Sequence, residues 1–145
     1  MRAVDSRHAQ KDMFTKRFRT IKPPQPTENQ IQSALIERMK IMGRPDCTYF
    51  HVPNGGWRFK RSAGVLKSLG VTPGVCDLIF IWPQRNILFL ELKRTDKDEL
   101  TMEQAFFLDR MRICGFDAEC AYGLDQAIAI LESRGLLTRT LRRSS

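Results

Sequence analysis

The 145-residue chain is short of acids: 16 Asp+Glu stand against 24 Lys+Arg, a formal net charge of +8 and a pI near 9.7. That balance favours a polyanionic partner, nucleic acid first and an anionic membrane surface second, over a basic protein with no such partner. Long apolar runs are missing as well. No stretch approaches the ~18 residues of a membrane span, so a spanning helix is not expected. The N-terminal residues contain no apolar h-region, so a secretory leader is not expected and the predicted location is intracellular, in the cytoplasm. The four cysteines, Cys47, Cys76, Cys114 and Cys120, form no CxxC pair. They lie in apolar or mixed segments, which favours buried free thiols over a zinc site or disulfides. There is no internal repeat, zinc finger or recognition helix. What remains is 42% hydrophobic, enough for the core of a single domain.

Residues 1–26 are basic and end in "KPPQP", the pattern of an arm or linker, with room for a short helical turn around Met13, Phe14 and Phe18. The charges of this arm could meet phosphates or simply be solvated. The body of the protein is expected over 27–137 and a basic tail over 138–145. Thr27 and Gln30 fit a capping box, with Glu28 in the first turn, where the helix dipole favours an anion. Ile31, Ala34, Leu35, Met39 and Met42 form an approximate apolar stripe, and Gly43 stops the helix. "CTYFHVP" reads as a strand, "NGG" as a turn, and residues 60–69 as a short basic helix. Two apolar strands then flank "PQRN". Thr101 and Gln104 make a second capping box, opening a helix whose predicted stripe is Ala105, Phe106, Leu108, Met111 and Arg112. "AECAYG" is a short strand, and residues 124–133 an amphipathic helix. This order predicts an α/β fold with a mixed sheet of about four strands flanked by helices.

The pair of strands in "GVCDLIFIWPQRNILFLELK" carries the chemistry. Strand side chains alternate faces, so Glu91 and Lys93 share one face while Leu90 and Leu92 point to the other. Ile79 and Ile81 follow Asp77 on its own face, so both strands should be buried except at one polar end. A hairpin with Pro83, Gln84 and Arg85 as its loop pairs Trp82 with Asn86 and sets Asp77 opposite Glu91. Opposed Cβ atoms lie ~4.5–5.5 Å apart. Two carboxylates that close repel unless a positive charge intervenes, and a divalent cation with oxygen ligands, Mg²⁺ above all, fits. The backbone carbonyl of Leu92 could add a ligand, and Lys93 could offset charge on a phosphate. A plain alternative is a structural Glu–Lys pair at a strand end, with Asp77 as a turn residue.

The wider context resembles a known family. "PGVCDLIFIW" followed by "LFLELK" is similar to the PD-(D/E)xK nuclease superfamily. "HVPNGGWR", "LKSLGVTPGVCDL", "FLELK" and "TMEQAFFLDRMRICGF", in that order over residues 27–122, resemble its VRR-Nuc (virus-type replication–repair nuclease) branch. The resemblance implies a restriction-endonuclease-like core and Mg²⁺- or Mn²⁺-dependent hydrolysis of DNA phosphodiesters. It implies Asp77 and Glu91 as metal-binding acids and Lys93 as the catalytic lysine. Glu28 takes the place of the acid that such nucleases carry in their first helix, with Glu37 as a rival, and Gln104 that of a glutamine after the active-site strand. One departure is Cys76, which stands where the superfamily has proline. Stand-alone members occur in phages and bacteria and are associated with four-way (Holliday) junction cleavage, so the resemblance also implies a homodimer. Leu131, Leu136 and Leu137 could serve its interface or the core.

Asn54, Gly55 and Gly56 could bring backbone N–H groups to a phosphate, with Arg58, Lys60, Arg61 and Lys67 following; a type I′ turn is the plain alternative. Trp57 could stack on a base or anchor the loop. His51 could be a general base or a structural residue. Phosphate contacts without a recognition element favour reading DNA shape over sequence. The function expected is a metal-dependent, structure-specific DNA endonuclease, of junction-resolvase type. The alternatives are a non-catalytic DNA-binding accessory protein and a flap or nicking nuclease with the same site.

Overall fold

The computed structural model describes residues 23–53, 64, 68 and 70–138. The expectations for the basic arm through residue 22, for Asn54–Gly56, Trp57, Arg58, Lys60, Arg61 and Lys67, and for the tail from residue 139 lie outside these. Of the basic helix expected over 60–69, the described Gly64 and Ser68 are helical.

Helix α1 spans Glu28–Met42 and opens on the expected box: Thr27 caps it, accepting from the Gln30 amide, while Gln30 reaches back to the Thr27 amide at 2.8 Å. Strand β1 is Thr48–His51, β2 Leu78–Trp82 and β3 Asn86–Lys93; α2 spans Met102–Ile113, β4 Asp117–Tyr122 and α3 Leu124–Ser133. The sheet order is β1-β2-β3-β4, with the first two pairings antiparallel and β3–β4 parallel. This is the mixed four-strand sheet expected. The parallel pair follows from the α2 crossover, since adjacent parallel strands need a long connection.

The hairpin register agrees with the reading of the alternation. Leu78 pairs with Leu90 and Trp82 with Asn86, leaving Pro83–Arg85 as the loop. Gln84 and Arg85 turn the chain with φ of 69° and 65°. The period of two then sorts the side chains. Leu78, Phe80, Leu88, Leu90 and Leu92 face α1 and α3, where they meet Ile31, Leu35, Met39, Ala127 and Leu131. Each fully buried leucine here contributes ~1.5–3 kcal/mol through the water it sheds. Ile79, Phe89 and Ala118 face the other way, toward Leu108, Phe107 and Met111 of α2. Leu131, Leu136 and Leu137 are all buried in the first core, so the core role is theirs.

Four expectations change. Ala34 is exposed, because the inward stripe of α1 is Ile31, Leu35 and Met39. Phe106 is 63% exposed while Phe107 packs inward against Phe89. Two consecutive phenylalanines leave the helix phase open, and packing against the sheet decides it. Cys114 is exposed and Cys47 and Cys120 half-buried, so only Cys76 is the fully buried thiol expected; all four are free. Finally, the charged end of the hairpin is its buried end. Ile81 is exposed near the loop, whereas Glu91 is 2% and Lys93 7% exposed. The chain after β3 turns back, and the first turn of α2 lies over these two residues.

Among the described residues no helix is long and apolar enough to cross a membrane.

Candidate active site

Asp77 stands one residue before β2, where the β1–β2 ladder ends. Its carbonyl accepts the Val52 amide at 2.9 Å and lies 2.9 Å from His51 Nδ1. Its carboxylate Oδ2 accepts the Leu92 amide at 2.8 Å. The β2–β3 ladder stops at Leu78–Leu90, so the Asp77 side chain takes the place that the next strand carbonyl would fill.

Glu91 and Lys93 project from β3 on the α2 side of the sheet. Thr101 caps α2, and Gln104 completes the box by accepting the Thr101 amide at 2.9 Å. The same Gln104 carboxamide accepts the Lys93 ammonium at 3.0 Å and donates its N–H to Glu91 Oε1. Lys93 Nζ lies 3.4 Å from that carboxylate oxygen. Gln104, the partner of Thr101 in the box, therefore ties Glu91 and Lys93 together.

A cleft of about 300 Å³ opens here, lined by Glu28, the Pro73–Val75 loop, Asp77, Glu91, Glu103 and Gln104. Glu28 reaches it from the first turn of α1. Glu37 does not: it is on the surface, paired with Lys40 at 2.6 Å. Gly74 makes the cleft wall possible. It has φ +78°, and a Cβ there would collide with the Glu103 carbonyl and the Gln104 amide nitrogen.

The electrostatics follow from burial. Loss of water, and then the Asp77 charge, push the Glu91 carboxyl up to about 7, against the opposing pull of Lys93. Asp77 is also raised by burial, offset by the Leu92 amide and by the charges of Lys93 and His51. Cys76, buried behind Asp77 with Sγ 3.3 Å from the Leu78 carbonyl, is pushed up to about 12 by burial, so its thiol stays protonated and inert.

Two carboxylates that resist joint ionisation, with a third acid on the cleft wall, form an all-oxygen donor set suited to a hard cation that keeps waters, as Mg²⁺ does. Among the described residues no three His, Cys, Asp or Glu side chains are gathered closely enough to hold a metal by themselves. Glu28 thus shares the cleft without closing a three-acid cage around Asp77 and Glu91.

Asp77, Glu91, Lys93 and Gln104, with Leu92 through its amide, are brought into one cluster, with Glu28 on its rim. Asn54, Gly55, Gly56, Arg58, Lys60, Arg61 and Lys67 lie outside the described residues. Sequence reasoning missed the contact of His51 with Asp77, and gave no sign that Gly74 abuts α2.

No family model matches the chain, and no curated protein matches it. Solved structures do. One described as a "VRR_NUC domain protein" superposes with a TM-score of 0.63 at 22% identity, over 75% of this chain and 88% of that one. Another, a "VRR_NUC domain", gives 0.51 at 18% identity, over 74% and 97%. The chain has the VRR-Nuc fold, an α/β architecture of the restriction-endonuclease-like kind.

Proposed function

We propose that this chain is a divalent-metal-dependent DNA endonuclease of the VRR-Nuc family. The observation that supports it most is the joining of Glu91, Lys93 and Gln104 by hydrogen bonds and an ion pair, beside Asp77, where Asp77, Glu91 and Gln104 line one cleft.

In this reading Asp77 and Glu91 would hold Mg²⁺ or Mn²⁺, with Glu28 and the Leu92 carbonyl as further oxygen donors. When bound, that cation supplies Lewis-acid charge at the phosphate and a water nucleophile at neutral pH. The other groups act as follows. Lys93, buried and held by Gln104, presents a fixed ammonium where negative charge grows on the phosphoryl oxygens during hydrolysis. The Leu92 amide holds the Asp77 carboxylate in place. Gln104 sets the distance between Glu91 and Lys93. Asn54, Gly55, Gly56, Arg58, Lys60, Arg61 and Lys67 contact the DNA backbone, in keeping with the net positive charge.

Branched DNA, a four-way junction in particular, is the substrate proposed from the resemblance. A homodimer acts on it, because a resolvase must nick two strands related by symmetry.

The test is a gel assay on a labelled junction, a flap and linear duplex, each with Mg²⁺, Mn²⁺ or EDTA, using wild type and Lys93→Ala. Metal-dependent paired nicks in the junction, lost in Lys93→Ala by at least ~100-fold, are the expected result. Cutting of the flap alone keeps the active site and changes the substrate. DNA binding with no cutting in any metal replaces the proposal with a non-catalytic accessory protein.

A further inference from the structure

The Asp77 carbonyl has two lone pairs, and both are engaged: one by the Val52 amide, one by His51 Nδ1, each at 2.9 Å. A carbonyl only accepts, so Nδ1 must carry a proton and act as the donor. The carboxylate of the same residue accepts the Leu92 amide. Asp77 is thereby held at its backbone by β1 and at its side chain by β3. His51 is the last residue of β1, a four-residue edge strand with exposed side chains at three of its positions. Short edge strands are held weakly, and the imidazole adds a second bond where the ladder is about to end.

We propose that His51 is a positioning residue for Asp77, acting through Nδ1–H on the Asp77 carbonyl and so setting where the Asp77 carboxylate meets Leu92 and the cleft. This rests on the nuclease reading only in taking Asp77 as a metal ligand. It differs from a general base, which would act through the other ring nitrogen on the substrate.

Positional isosteres separate the two. Asparagine places its amide nitrogen where Nδ1 sits, and glutamine places it where Nε2 sits. His51 is exposed, so none of these changes opens a hole in the core. Two readouts are needed on the full chain: hydrogen exchange of the Leu92 amide, which the Asp77 carboxylate protects, and Mn²⁺ affinity by paramagnetic resonance. In His51→Gln and His51→Ala, Leu92 should exchange faster and Mn²⁺ should bind ~10–100-fold more weakly, the usual cost of losing a group that orients a ligand. His51→Asn should restore both. The inference is overturned if Leu92 exchange and Mn²⁺ affinity match wild type in all three variants, or if glutamine restores them and asparagine does not. If Leu92 exchange follows the expected order while wild type binds no Mn²⁺, the positioning role stands and the metal-dependent nuclease reading fails.

Discussion

Gln104 donates to Glu91 from the same carboxamide whose oxygen accepts Lys93 and closes the capping box of α2. A helix start and a charged pair are thus one structure. Removing the carboxamide should disturb both. Gln104→Ala is expected to lower stability by about 1 kcal/mol through the lost cap bond and cleavage by ~10–100-fold. Gln104→Glu keeps an oxygen for Thr101 and Lys93 but sets a carboxylate against Glu91. It should keep the cap bond yet melt below wild type at neutral pH, and cut as poorly as the alanine variant. Thermal melts and single-turnover cleavage check this.

Glu91 makes stability depend on pH. Its folded value of about 7 lies above its ordinary 4.5. The fold therefore holds a proton that the unfolded chain releases, and the stability linked to it is complete below about 4.5 and is lost as pH rises through 7. The size of the loss is on the order of 3 kcal/mol. Metal-free protein should melt lower at pH 8 than at pH 5, and Glu91→Gln should flatten that difference. Added Mg²⁺ should stabilise most above pH 7, where Glu91 is ionised. Melting curves across pH 5–8, with and without Mg²⁺, decide it.

Gly74 and Gly70 form a matched pair for testing the cleft wall. Both have positive φ, but a Cβ at Gly70 would enter open space, while at Gly74 it would strike the start of α2. Gly70→Ala should cost about 1 kcal/mol from backbone conformation alone. Gly74→Ala should cost ~3 kcal/mol or more, since the backbone of α2 must move as well. It should also weaken cleavage, because Gln104 moves with that turn. Equal melting points for the two variants would contradict the close approach.

Much of the fold was legible where the causes are local. Both capping boxes depend on residues three apart, and the structure forms each one. The hairpin register followed from parity and loop length, which also brought Asp77, Glu91 and Lys93 to one end of one face. Features set by distant elements were less legible. The burial of Glu91 and Lys93 needs the first turn of α2 above them. The exposure of Phe106 rather than Phe107 is decided by the sheet. The collision that forbids a side chain at position 74 joins segments thirty residues apart in the chain, and no pattern around "TPG" announces it.

The proposed mechanism requires Asp77 and Glu91 to share a divalent cation. Calorimetric titration of Mg²⁺ into wild type, Asp77→Asn and Glu91→Gln at pH 8 tests this most directly. Saturable binding by wild type, lost or weakened at least ~10-fold in each variant, is the predicted result. Equal binding by all three proteins, or none by wild type, would contradict it.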